Sequence, residues 1–148
     1  MPESLNENLI NELAANGTAG DTFRRLTPDK KSRVYRTALK LFAEFGYDGL
    51  SVDQFCREAG ISKGSFFQYF PSKSHLLEFT VLMFDDYLGR WMQSLRQAET
   101  AALAGDRILY LCTALIVNSR LYRDEEQFYL FVTRALYHSA VALEGVDI

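Results

Sequence analysis

Residues 60–73, "GISKGSFFQYFPSK", place three phenylalanines and one tyrosine within five positions, directly after serine, lysine and glycine. Lysine can pair with phosphate, serine and glutamine can donate hydrogen bonds to phosphates or base edges, and glycine permits close backbone approach. Phe66 and Phe70 are four residues apart, so a helix puts them on one face. We assign Lys63, at the start of the helix, and Gln68 to the outer face. The segment predicts a short helix that packs through one face and offers the other to a polyanion.

Charge is unevenly distributed along the 148 residues, whose net charge is −3. From Arg24 to Lys73 there are ten Lys/Arg against five Asp/Glu, whereas the remainder has six against fourteen. A basic segment within an acidic protein indicates that one part meets a polyanion while the rest repels it.

Composition is that of an ordinary folded protein, with 48% hydrophobic and 24% charged residues, and predicts one or two small domains. Cys56 and Cys112 are far apart and have no CxxC spacing, which indicates a reducing compartment. The sequence shows neither an apolar run of about 20 residues nor a basic signal-like N-terminus. We therefore expect a cytoplasmic protein without a membrane association.

The first strong helix signal begins at Thr27, a suitable N-cap, with Pro28 at the first helical position and Gly46 as the end. Its apolar stripe comprises Val34, Ala38, Leu41, Phe42 and Phe45. Its opposite face carries Lys30, Lys31, Arg33, Arg36 and Lys40.

Two short helices follow. Ser51 and Gln54 form a capping box before "VDQFCREA", which Gly60 ends, and Ser62 caps a helix from about 63 to 69. Three helices within fifty residues, the last two joined by about three residues centred on Gly60, predict a helix-turn-helix.

The remainder is also predicted to be helical, so the fold class is all-α: a three-helix head joined by a long helix to a helical bundle. The long helix runs from about 73 to 96, with an apolar seam at Leu77, Val81, Phe84, Leu88, Trp91 and Leu95. Two nearly all-apolar helices begin near 106 and 124. The predicted divisions of the chain are an N-terminal extension (1–26), a helix-turn-helix domain (27–72) and a helical domain (73–148).

The extension "SLNENLINEL" puts Leu5, Leu9, Ile10 and Leu13 on one helical face. The favoured interpretation is a helix that packs loosely or is disordered. The alternative is an arm that contacts DNA or a second subunit, with Arg24 and Arg25 as its contact residues.

From about Val34 to Leu77 the chain, including "ALKLFAEFGYDGLSVDQFCREAGISKGSFFQYFPSKSHLL", resembles the DNA-binding head of TetR-type bacterial transcriptional regulators. The resemblance implies a homodimer on a palindromic DNA operator, usually a repressor. It makes residues 27–72 the DNA-binding domain and residues 73–148 a C-terminal helical domain for small-molecule binding or dimerisation. It also implies phosphate and base contacts at Ser51, Val52, Lys63, Gly64, Ser65, Phe67, Gln68, Tyr69 and Lys73.

The sequence departs from the family at two places. The family usually has tyrosine where this chain has Phe67, which cannot donate to a phosphate and offers an apolar contact, for example to a thymine methyl. TetR-type regulators also continue with two more long helices, whereas this sequence stops at Ile148; we expect a truncated domain or an unusual dimer.

Most aromatic residues of the predicted bundle are expected to form its core. The candidates for binding a hydrophobic or aromatic effector are Trp91, Tyr110, Thr113, Asn118, Phe128 and His138. Thr113, Asn118 and His138 are included because polar groups buried within apolar helices need partners, which a ligand can supply. His75 is interpreted as a capping or surface residue, and Cys56 as core.

The sequence contains no nucleophile–base set, P-loop, metal-ligand cluster or GxGxxG, so we expect no enzyme activity and no cofactor or metal. The predicted function is sequence-specific, ligand-responsive repression. The alternative is a small-molecule-binding or protein-interaction module that keeps the helix-turn-helix as a scaffold without specific DNA binding.

Overall fold

A computed structural model describes residues 5–99 of the chain, with side chains from residue 5 to residue 90 and at residue 93. This part is all-helical, as predicted. Its helices are α1 (Glu7–Ala15), α2 (Asp21–Arg24), α3 (Pro28–Gly49), α4 (Val52–Ala59), α5 (Lys63–Tyr69) and α6 (Lys73–Glu99). The helices predicted near 106 and 124 lie outside the described residues. No helix in the described part combines the length and apolar character needed to cross a membrane.

Helix α3 begins and breaks where the sequence indicated. Thr27 occupies the N-cap position with an extended backbone, although its side chain makes no capping hydrogen bond, and Pro28 is the first helical residue. Gly46 interrupts the helix with φ 70° and ψ −179°, a conformation that only glycine adopts readily. A short helical turn then leads to Gly49, so the chain changes direction before α4.

The buried face of α3 differs from the predicted stripe at three positions. Val34, Ala38, Leu41 and Phe42 are buried as expected, but Phe45 is 40% exposed. The prediction for Phe45 was wrong because the helix breaks at the next residue, and the core is filled instead by two α3 residues that the stripe omitted. These are Tyr35 and Leu39.

Lys31 was also predicted wrongly, as part of the solvated face of α3. It is buried, and its Nζ lies 2.7 Å from a carboxylate oxygen of Glu7. Helix α1 supplies both the cover and the counter-charge, which a buried ammonium group requires. The stripe of α3 alone could not reveal this, since the partner is 24 residues away in sequence.

Helices α1 and α2 belong to the apolar core of the described chain. Ile10 and Phe23 are fully buried, and Leu13 is 2% exposed. The interpretation of this region as loosely packed or disordered was therefore wrong. The core extends across the predicted boundary at residue 26, and the division into domains stays a prediction.

Helix α6 presents a different face to the core from the predicted seam. Leu77, Val81 and Leu88 are only half-buried, although Phe84 is buried. The fully covered side chains are instead Leu76, Phe79, Thr80 and Met83, with Tyr87 at 7% exposure. The reason is that the head packs around Phe79, whose ring contacts Phe23, Tyr35 and Phe70. The side chains of Trp91 and Leu95 lie outside the described set.

Gly20 and Gly89 offer two glycine-to-alanine substitutions with opposite expected effects. A Cβ at Gly20 would overlap the carbonyl oxygen of Gln68, whereas a Cβ at Gly89 meets nothing within 4 Å. We predict that Gly20→Ala lowers the free energy of unfolding by about 1–3 kcal/mol through overpacking. Gly89→Ala should raise it by about 0.5–1 kcal/mol through helix propensity. Urea denaturation followed by circular dichroism measures both, and equal effects would contradict the packing of Gly20.

Candidate nucleic-acid interface

The turn between α4 and α5 has the geometry of a helix-turn-helix connection. Gly60 closes α4 in the left-handed conformation (φ 68°, ψ 38°), which glycine adopts at low cost. The amide of Ile61 donates to the carbonyl of Cys56 at 3.0 Å. Only Gly60, Ile61 and Ser62 separate the two helices, as the sequence predicted.

Serine side chains cap both helices of this unit. Ser51 Oγ accepts from the amide of Gln54 at 3.1 Å, and Ser62 Oγ accepts from the amide of Ser65 at 3.0 Å. The Ser62 and Ser65 hydroxyl oxygens are 2.9 Å apart. The predicted caps are confirmed, and they fix the first residue of each helix.

The inner face of α5 is anchored by aromatic packing. Phe66 and Phe70 are both fully buried. The ring of Phe66 packs edge-on against Phe55 of α4 at 5.7 Å between centroids, and Phe70 lies 5.1 Å from Phe79 of α6. Both predicted anchors are confirmed, so α5 is held between its two neighbours in the chain.

The outer face of α5 carries the side chains expected to contact DNA. Phe67 is 50% exposed, and Lys63, Gly64 and Gln68 are exposed as well. Lys63 Nζ lies 3.0 Å from Asp53, but both groups are largely in solvent, where such a pair contributes little.

The other predicted contact residues lie at the margins of this face. Ser51 is exposed at the start of α4, whereas Val52, Ser65 and Tyr69 are half-buried. The predicted contact residues of α4 and α5 are therefore all exposed or half-buried. Their contacts with DNA stay predictions.

Neither packing nor backbone conformation in the described structure requires glycine at position 64. A Cβ there would meet only the hydroxyl of Ser62, at 3.9 Å, which is an ordinary contact. Its backbone lacks the positive φ that favours glycine. The space above Gly64 is therefore open to a partner that approaches α5 from outside.

Lys73 has a structural role that the sequence did not reveal. Its Nζ donates to the carbonyls of Tyr47 at 2.6 Å and Leu50 at 2.9 Å, and lies 4.2 Å from the centre of the Tyr47 ring. The start of α6 is thereby fastened to the end of α3. One of the three ammonium protons remains for the predicted phosphate contact.

The N-terminal part of the chain contacts the end of α5, which sequence reasoning also missed. The amide of Gly20 donates to the carbonyl of Tyr69 at 2.7 Å. The buried ring of Phe23 lies 5.9 Å from Tyr69 and 5.1 Å from Phe70. The amphipathic pattern of residues 5–13 was the available signal that this region packs against something.

The remaining chemically active candidates have structural roles or lie elsewhere. His75 caps α6 together with Ser72, whose Oγ is 2.7 Å from the histidine Nδ1. Burial, and secondarily the Asp53 carboxylate, raises the pKa of the Cys56 thiol, which disfavours a reactive thiolate.

Among the side chains that the structure describes, residues 5–90 and 93, there is no group of three or more metal-ligating residues. The effector candidates Tyr110, Thr113, Asn118, Phe128 and His138 lie outside the described residues. Trp91 belongs to α6, but its side chain also lies outside the described set.

Removing the charge of Lys63 and of Lys73 should change the free energy of unfolding by different amounts. Lys73→Met should lower the free energy of unfolding by about 1–3 kcal/mol, because two carbonyl groups lose a charged donor. Lys63→Met should change it by less than about 0.5 kcal/mol, because its ion pair is exposed. Urea denaturation of both variants without DNA measures the difference; equal values would contradict the structural role of Lys73.

Comparison with known proteins agrees with this geometry. Residues 34–79 match the family described as bacterial regulatory proteins, tetR family. A 49-residue stretch is 51% identical to the uncharacterized HTH-type transcriptional regulator YuxN of Bacillus subtilis, covering 33% of this chain and 17% of that protein. No solved structure matches the chain significantly.

Two further relatives are similar over slightly longer stretches. The uncharacterized HTH-type transcriptional regulator YerO of Bacillus subtilis is 34% identical over 71 residues, which cover 48% of this chain and 24% of that protein. The biofilm operon icaADBC HTH-type negative transcriptional regulator IcaR of Staphylococcus aureus is 36% identical over 58 residues, which cover 39% of this chain and 31% of that protein.

The matched residues include most of α3, all of α4 and α5, and the start of α6. The chain spans less than a third of the length of each of these relatives. Residues 34–79, which contain the helix-turn-helix head, are therefore similar to the tetR family of bacterial regulatory proteins.

Proposed function

We propose that this chain is a sequence-specific DNA-binding transcriptional regulator that inserts α5 into the major groove. The observation that carries the proposal is the division of α5 into two faces. Phe66 and Phe70 are fully buried, whereas Phe67 is half-exposed and Lys63 and Gln68 point away from the core. A recognition helix requires this division, because it must be held rigidly while its outer side chains reach base edges.

The charge distribution supports the same surface. The segment that contains α3 to α5 is basic, in a chain that is acidic overall. Positive charge around the recognition helix favours DNA through phosphate contacts and counter-ion release. An acidic remainder disfavours non-specific association of the rest of the protein with DNA.

Each exposed residue of α5 has a role that its chemistry suits. Lys63 pairs with a phosphate, and Gln68 reads a base edge, for which adenine is the natural partner of an amide. Gly64 allows close approach of the helix to DNA. Phe67 contributes apolar contact, with the thymine methyl as its partner in the major groove.

Residues flanking the exposed face complete the proposed contact set. Ser51 and Val52 approach the backbone from the start of α4, Ser65 and Tyr69 add polar contacts, and Lys73 offers its remaining proton to a phosphate. Phosphate contacts of this kind fix the register of the helix on the duplex without reading sequence.

The finer proposal is a homodimer that represses transcription from a palindromic operator in the cytoplasm. Two copies of α5 would then lie about 34–36 Å apart, the spacing of half-sites one turn apart. The name of the Staphylococcus relative, a negative transcriptional regulator, supports repression. A hydrophobic or aromatic effector bound by residues 73–148 would regulate the dimer.

Substitutions at Lys63 and Gln68 should affect DNA binding in different ways. On duplexes selected by the wild-type protein from a random pool, Lys63→Ala should weaken binding to all sequences and reduce the salt slope by about 1. Gln68→Ala should cost about 1–3 kcal/mol on selected duplexes and little on scrambled ones. Fluorescence anisotropy at several salt concentrations measures both.

The matched control is Gln93→Ala, which removes an exposed glutamine from α6, away from the proposed interface. Its affinity should equal that of the wild type. Equal behaviour of the Gln68 and Gln93 variants on selected DNA would contradict base reading by Gln68.

The role of Phe67 is tested by changing the DNA. Replacing the thymines of a selected duplex one at a time by deoxyuridine removes only the 5-methyl group. At one position in each half-site, the loss of the methyl group should weaken binding by the wild-type protein. The expected cost is up to about 1 kcal/mol, which is the contribution of one buried methyl group. The same replacement should not change the affinity of the Phe67→Ala variant for the duplex. Equal sensitivity of wild type and variant would overturn the contact.

A further inference from the structure

The N-terminal segment, residues 5–26, joins the proposed recognition helix to the middle of α6. At one end, the amide of Gly20 donates to the carbonyl of Tyr69, the last residue of α5, at 2.7 Å. Beside it, the fully buried ring of Phe23 packs against Phe70 and Phe79, 5.1 and 5.0 Å from their centroids. The end of α5 is therefore packed against this segment as closely as against α6.

The other end of the segment is fastened through one asparagine side chain. Asn6 Oδ1 caps α1 by accepting from the amides of Asn8 at 3.1 Å and Leu9 at 3.2 Å. Asn6 Nδ2 donates to Asp86 Oδ1 at 2.8 Å. Asp86 lies thirteen residues beyond the first residue of α6, which corresponds to about 20 Å along the helix. The ion pair between Glu7 and the buried Lys31 also ties α1 to α3.

We propose that the N-terminal segment positions the recognition helix relative to α6, with Asn6 and Asp86 as its positioning residues. The part of this proposal that concerns operator affinity rests on the proposed function. Along the chain, α5 and α6 are joined by residues 70–72. The N-terminal segment adds a second connection far from that joint, so a movement of α6 at Asp86 displaces the end of α5 as well.

The hydrogen-bonding requirement at position 6 is specific. Asparagine is suited to accept with its oxygen at the start of α1 and donate with its nitrogen to a carboxylate. Aspartate caps a helix equally well, but it places a second carboxylate against Asp86. Asn6→Asp therefore keeps α1 capped and removes only its connection to α6.

The chain also permits an exchange of the two partners. In Asn6→Asp/Asp86→Asn, the amide at position 86 donates to the carboxylate at position 6, and the hydrogen bond is restored with its direction reversed. In Asp86→Asn alone, the carboxamide oxygen still accepts from Asn6. That variant controls for the loss of the Asp86 pair with Arg90, whose atoms are 2.8 Å apart.

Amide hydrogen exchange of the full chain without DNA tests the positioning itself. In Asn6→Asp, the amides of Gly20 and Phe70 should exchange about tenfold faster, the change expected when a hydrogen bond to a charged group is lost. The Phe55 amide in α4, which donates to Ser51, should be unaffected. The double variant Asn6→Asp/Asp86→Asn should restore the protection of these two amides. Unchanged exchange in α5, or equal acceleration at Phe55, would overturn the proposal, since the latter indicates only global destabilisation.

Binding of the same variants to selected duplexes tests the consequence for recognition. Asn6→Asp should weaken binding to selected DNA several-fold more than to scrambled DNA, and the exchanged pair should recover the wild-type ratio. Glu12→Gln, an exposed change on α1, is the matched control. If α5 exchanges faster but the ratio is unchanged, the proposed effect of the N-terminal segment on operator affinity is wrong. If the wild type itself selects no sequence, the proposed function fails, while hydrogen exchange still decides whether the segment holds α5.

Discussion

The burial of Phe70 is the contact on which the rest of this structure depends. Its ring is fully buried against Phe66 of α5, Phe23 of the N-terminal segment and Phe79 of α6, with centroid separations of 5.0 to 6.1 Å within this group. Each such aromatic contact contributes about 0.5–1.5 kcal/mol beyond the area it buries. Helix α5 has only seven residues and cannot be stable alone, so these contacts determine that it is helical and where it lies.

Because one side of α5 is fixed in this way, its other side is free for recognition. Ser62 and Gly60 set where the helix starts, and Lys73 fastens the beginning of α6 to the end of α3. Polar side chains near the interface are thus divided between those that hold the backbone and those left in solvent. Lys73 belongs largely to the first group and Gln68 to the second, although both were predicted from sequence as DNA contacts.

Local features of the sequence predicted local features of the fold well. The caps at Ser51 and Ser62 and the left-handed Gly60 depend on interactions within four residues, so their signals are contained in short motifs. The anchors Phe66 and Phe70 followed from helical spacing. Resemblance to the tetR family selected the same region and supplied the proposed contact residues.

Features that depend on distant parts of the chain were not predictable in the same way. Lys31 is buried and paired with Glu7, which lies 24 residues earlier in the chain. The covered face of α6 is set by where Phe23 and Tyr35 pack. An apolar pattern shows which face of a helix can be buried, but not which neighbour arrives there or how far around the helix it reaches. The N-terminal segment is the clearest example, since its amphipathic pattern was visible but its partners were not.

The central claim, that α5 reads DNA sequence, is tested most directly by selection from a random duplex pool. The full chain would be incubated with the pool at moderate salt, and the bound fragments would be recovered and sequenced. The account predicts enrichment of a common sequence, arranged as a palindrome with half-sites about one turn apart. A folded protein that enriches no sequence over the starting pool would contradict it, and would favour a helix-turn-helix kept as a scaffold for other partners.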